Sequence, residues 1–123
     1  MWIVTKIGFF NIIQYDEDKS KQLLTVKARS REDLENFKKL SIRLQDRLTG
    51  GIEESNTADY RFRLKAPKVD VVNAIGLLVA EINYPKTKPA ISAMFPERGG
   101  VYLDVWDILG ALQDNEKSTT KEQ

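Results

Sequence analysis

The sequence predicts an α+β fold: a four-stranded, mainly antiparallel sheet in the order β-β-β-α-β-α-α, with helices packed on one face. Three observations predict it. Residues 1–28 contain three runs rich in β-branched and aromatic residues. Residues 60–65 alternate without interruption, Tyr60, Phe62 and Leu64 against Arg61, Arg63 and Lys65, the pattern of a half-buried strand. Three other segments repeat apolar residues at spacings of three and four, the period of an amphipathic helix. Strand order does not follow from pattern; a ferredoxin-like half with an extra hairpin is one arrangement that fits.

The elements follow in chain order. MWIVTK (1–6) and FFNIIQY (9–15) read as two strands joined by a tight turn, with Gly8 free to take positive φ. DEDKSKQ (16–22) is a charged loop, and LLTVKA (23–28) a third strand with Leu24, Val26 and Ala28 on one face and Thr25, Lys27 and Arg29 on the other. Ser30 can cap a helix whose first turn carries Glu32 and Asp33. Leu34, Phe37, Leu40, Leu44 and Leu48 form its apolar stripe, and Gly50-Gly51 its stop. Residues 52–59 read as a polar loop before the alternating strand.

Pro67 suits the first turn of a second helix. Val72, Ile75, Val79 and Ile82 share a face there, and Val71, Leu77 and Leu78 widen it. Such breadth predicts a helix substantially covered by its neighbours. Pro85, Pro89 and Pro96 punctuate an irregular segment with a short helical turn around 91–95. A last helix, 101–112, carries Tyr102, Val105, Trp106, Leu109 and Leu112. Residues 114–123 have no apolar side chain. The expected organisation is one domain over 1–113 and a disordered polar tail over 114–123.

Composition removes several function classes. The chain of 123 residues has no Cys and no His. That excludes disulfides, thiol nucleophiles, Cys-ligated metal centres and a Ser-His-Asp arrangement. Acid–base chemistry would fall to a carboxylate, Lys or Tyr, which leans the reading away from an enzyme. No cofactor or metal is expected. Nineteen Lys and Arg against eighteen Asp and Glu give a net charge of +1, so only a local patch would attract nucleic acid or an anionic membrane. No segment resembles a leader or a membrane span of roughly 20 apolar residues, and the expected location is the cytoplasm.

Several constellations carry chemistry on paper. Lys27 and Arg29 on one strand, with Arg61, Arg63 and Lys65 on another, make a candidate basic face of five cations if the strands pair. Phosphate backbones would favour such a face, and Tyr15 or Trp2 could stack a base on it; the alternative is a solvated sheet face kept from edge aggregation by charge. Tyr84 and Lys88 have Tyr-x-x-x-Lys spacing, but Pro85 and Pro89 oppose the helix that motif needs and no Gly-x-Gly-x-x-Gly run is present. Asp104 and Asp107 are neighbours on a helix without an identifiable third ligand. Asp16-Glu17-Asp18 resembles a calcium loop in charge only. Arg98-Gly99-Gly100 reads as a turn. Trp2, Tyr84, Tyr102 and Trp106 are candidate core or interface aromatics.

These residues also bring a resemblance. The opening MWIVTKIGFF with Gln14, LTVKAR (24–29), Asp33-Leu34, DYRFR (59–63), Ile82-Asn83-Tyr84 with Lys88, and Tyr102 with Val105-Trp106 resemble a family of small bacterial proteins without an assigned activity. The family pattern has an acid at the position of Asn83 and Asn-Phe-Lys at 86–88, where this chain has Lys86-Thr87-Lys88. The resemblance implies a single bacterial domain and supplies no mechanism.

The functional expectation is therefore a non-catalytic interaction domain. It would form a homo-oligomer, a dimer first of all, or bind a protein partner, through an apolar helical surface or a sheet edge. A nucleic-acid-binding accessory domain using the basic face comes second, and a carboxylate- or Lys-dependent enzyme third. No membrane partner is expected.

Overall fold

The computed structural model describes residues 1–45 and 49–122, and side chains as far as residue 114. The chain divides into two compact units, 1–84 and 85–123.

The first unit is built on an open antiparallel sheet of five strands in the order β1-β2-β3-β5-β4. β1 (Trp2–Thr5) and β2 (Gly8–Ile13) form the expected hairpin. Thr5 closes its turn: the side-chain oxygen accepts from the Ile7 and Gly8 amides at 3.1 and 3.2 Å and donates to the Gly8 carbonyl at 2.9 Å. Gly8 takes φ +156°, and a Cβ there would lie 2.6 Å from the Asp33 side chain. Glycine is required at this position by that close approach.

β3 (Leu23–Ala28) pairs with β2 on one side and with β5 (Phe62–Pro67) on the other. The register aligns Ile12, Val26 and Leu64 across three strands. They join Phe10, Ala28 and Ala66 on the inner face of the sheet. A fifth strand, β4 (Glu53–Glu54), pairs with β5 inside the stretch expected to be loop, so the sheet has five strands rather than four. Two acidic residues carry no alternation, which is why the pattern misses it. Since β5 is antiparallel to both neighbours, β3 and β4 run parallel with β5 between them.

α1 (Arg31–Lys38) places Leu34 and Phe37 on the inner sheet face, with the Phe37 ring 5.2 Å from Phe10. It ends at Lys38, well before the expected stop at Gly50, because Ser41 starts a new turn. The Ser41 hydroxyl accepts from the Arg43 amide at 3.2 Å and its carbonyl from Leu44, opening a 3-10 turn over Ile42–Gln45. Leu40 and Leu44 nevertheless continue the stripe into the core; Leu48 lies outside the described residues.

α2 (Lys68–Ala80) covers β5 and β3. Its buried face is Asp70, Val71 and Ala74, flanked by Ile75 and Leu78. The face expected to be buried is largely outside: Val72, Val79 and Ile82 are exposed and only Ile75 packs inward. The helix is apolar almost all round, so its own periodicity does not fix its phase, and its contacts with the core do. Asp70 turns inward to Arg43, Nε to Oδ1 3.5 Å, at the helix start where the dipole favours an acid.

The second unit is helical. α3 (Thr87–Met94) is longer than the expected single turn. Pro89 falls in its first turn, where a missing N–H breaks no hydrogen bond. A 3-10 turn at Pro96–Arg98 leads into α4 (Gly99–Glu122). The α4 backbone stays helical beyond residue 113, where the sequence predicts a tail; no Gly or Pro interrupts residues 111–122. α3 packs on α4, and the Arg98 guanidinium lies 3.8 Å from the Phe95 ring centroid.

Candidate interaction surfaces

On the sheet's outer face β3 and β5 bring together three of the five candidate cations, Lys27, Arg63 and Lys65; Arg29 and Arg61 lie beyond the strand ends, and Arg61 rests against Phe62, which packs on the core. β3 and β5 pair Lys27 directly with Arg63 and Thr25 with Lys65. The face is not an open cationic platform. The loop after β2 turns back over it: Asp18, buried in the 3-10 turn Asp16–Asp18, accepts from Lys65 at 2.7 Å. This hydrogen bond raises the Lys65 ammonium above its ordinary value, against the opposing effect of partial burial. The Tyr15 ring sits 5.4 Å from the Lys27 ammonium and 5.5 Å from that of Lys65, and its hydroxyl is 3.4 Å from Arg63. Arg61 donates to Glu54 of the added strand at 2.7 Å. Arg29 stacks on the ring of buried Tyr60 at 4.4 Å.

Sequence reasoning found the cations and missed their partners. Asp18 reads as one acid among three in a loop, and Glu54 lies in an unrecognised strand. At the far end of the sheet, Trp2 is exposed and meets Phe9 edge-on at 6.0 Å. Tyr84 is half-buried with the Lys6 ammonium 5.9 Å from its ring.

Among the described residues no group of three or more acidic side chains is placed to hold a metal ion. The buried carboxylates serve the fold. Asp18 holds Lys65, Asp33 accepts the Phe9 amide at 3.1 Å, and Asp70 faces Arg43. A shallow cavity of about 580 Å³ lies at the start of α2, lined by Leu23, Pro67, Val69 and Val72 with Lys21 and Lys68 among them.

The second unit presents a different surface. Val101, Tyr102, Val105, Trp106, Ile108, Leu109 and Leu112 fall within an arc of about 160° on α4 at 3.6 residues per turn. Asp104, Asp107 and Asp114 lie outside that arc. Tyr102 is half-buried and within 3.4 Å of Arg98, but Val101, Trp106, Ile108, Leu109 and Leu112 are each more than half exposed. Trp106, which reads as core from helical spacing, is 62% exposed, with the Lys88 ammonium 5.4 Å from its ring. Ile91 and Phe95 are the buried hydrophobic residues of this unit.

No family model matches the chain, and no curated protein or solved structure matches it. No helix among the described residues is long and apolar enough to cross a membrane.

Proposed function

We propose that this protein is a non-catalytic interaction protein that self-associates, with the apolar face of α4 as its principal contact surface. One observation carries the reading: a long helix displays a continuous arc of large aliphatic and aromatic side chains to solvent. The largest apolar patch on a typical soluble monomer is about 300–600 Å², and such patches mark interaction sites. Six apolar side chains of the arc are exposed, five of them by more than half, on one helix. Trp and Tyr are the residue types that dominate interface energetics.

The second reading, nucleic-acid binding through the outer sheet face, has weaker support. Lys65 and Arg61 are paired with carboxylates and Arg29 is stacked on Tyr60, which lowers the gain from releasing phosphate counterions. A bacterial, cytoplasmic setting and kinship with the small family described above belong to this proposal. So does a ferredoxin-like description of the first unit: β2-β3-β5-β4 with α1 and α2 is such a sheet permuted, and β1 adds a strand at its edge.

Light scattering across micromolar concentrations tests the reading. A mass at or above twice the chain's 14.1 kDa is expected. A monomer mass throughout the range would refute it.

A further inference from the structure

The outer surface of α2 is as unusual as that of α4. A helix packed on a sheet ordinarily turns a polar face to water. α2 exposes Val69, Val72, Gly76, Leu77, Val79 and Ala80, and its exposed polar residues are only Lys68 and Asn73. Its inner face is already spent on the sheet. A helix apolar on both sides requires a second layer.

The two uncovered surfaces differ in relief. α4 offers bulky projections in Trp106, Ile108, Leu109 and Leu112. The surface of α2 is low, with β-branched valines around Gly76 and Ala80, and a Cβ added at Gly76 would meet open space. Large side chains packing over small ones let helix axes approach closely. Their margins differ in charge as well. Lys21 and Lys68 lie at the N-terminal end of α2, beside the cavity that continues its apolar surface. Asp104 borders the apolar arc of α4 next to Ile108 in the helical projection.

We propose that α4 of one copy docks on the outer face of α2 of a second copy, and that the exchange is reciprocal about a two-fold axis. The inference rests on the self-association proposed above and names the surface that receives α4. Pairing α4 with α4 would leave the outer face of α2 in water. Reciprocal exchange covers both faces in both copies. Two helix contacts related by symmetry bury twice the area of one, and a standard interface takes about 800 Å² per partner. The N-terminal half of α4 then meets the lysine end of α2, bringing Asp104 toward Lys21 and Lys68.

The absence of cysteine makes the test clean. Val72→Cys and Leu109→Cys are made as separate, differently tagged chains, mixed, equilibrated and treated with a short bis-maleimide. The mixed dimer is expected to exceed either homo-dimer several-fold. A dominant Leu109→Cys homo-dimer would overturn the α2 assignment while leaving self-association intact. In a chain carrying both Val72→Cys and Leu109→Cys, an intramolecular product as the main species at high dilution would overturn it as well, placing the contact within one chain. No cross-linked product from any sample, together with a monomer mass for the parent, would remove both proposals.

Discussion

The Lys65 ammonium lies 2.7 Å from the carboxylate of Asp18, joining β5 to the turn that follows β2 across 47 residues of sequence. Asp18 is buried and Lys65 about half-exposed. The pair does two things. It fixes the loop carrying Tyr15 over the outer sheet face, and it takes one cation out of the basic patch.

A pH dependence follows. The Lys65 ammonium is raised above its ordinary value of 10.5 in the folded chain. Its contribution to stability is complete below the unfolded value and is lost as pH rises through the folded one. Asp18→Asn should be less stable than the parent at neutral pH. The gap should narrow on raising the pH through about 10 to 12, as read by urea denaturation at each pH. A gap that stays constant through this range would mean that the pair carries no linked proton.

Gly8→Ala should be destabilised by about 1–3 kcal/mol, the range for a residue forced into a disfavoured backbone region. The new methyl group would press on Asp33 Cβ and Cγ, displacing the carboxylate that accepts the Phe9 amide. Thermal melting checks this. Gly76→Ala is the control, since its methyl group meets open space in the single chain; it should leave the monomer's folding unharmed.

Phe10→Ala should lower stability by about 3–5 kcal/mol, as truncation of a buried aromatic does. Phe10 is fully buried and packs on Phe37. Trp106→Ala should behave in the opposite way. It should leave the far-ultraviolet spectrum and the urea midpoint of dilute protein nearly unchanged while weakening self-association. Helical spacing alone ranks Trp106 with the core, so this pair of variants separates a buried aromatic from an exposed one.

The basic face should bind nucleic acid weakly. Fluorescence anisotropy with a single-stranded oligonucleotide should show binding at low salt at most, lost by physiological ionic strength, where screening acts within about 8 Å. Tight binding in physiological salt that Lys27→Ala or Arg63→Ala abolishes would promote the nucleic-acid reading over self-association.

Much of the first unit was legible from sequence because its signals are local. The hairpin needed only two β-rich runs and Gly8, and β3 was bounded correctly by the alternation of Leu24, Val26 and Ala28 against Thr25 and Lys27. Three features were not legible, each for a physical reason. α1 stops early because the Ser41 hydroxyl and carbonyl nucleate a different turn, although Leu40 and Leu44 keep helical spacing. β4 is two glutamates long and exists through its pairing with β5. α2 has apolar residues at nearly every phase, so periodicity cannot separate Val71, Ala74 and Leu78 from Val72 and Val79; tertiary contacts decide, with Asp70 turned inward. The candidate surfaces divide in the same way. The cations of the sheet face follow from alternation, whereas Asp18 and Glu54 reach them only through the fold. The apolar arc of α4 is plain in the sequence, and only the structure shows it uncovered.

Sedimentation velocity on the parent beside Trp106→Glu/Leu109→Glu, with urea denaturation of both, tests self-association through α4 most directly. Both side chains are more than half exposed, so the new charges should spare the fold and disrupt only a contact made in the assembly. The expected result is a parent at twice the monomer mass or more, and a variant that is monomeric with an unchanged urea midpoint when both are diluted to monomer. A parent that sediments as a monomer, or a variant that keeps the parent's mass, would contradict it.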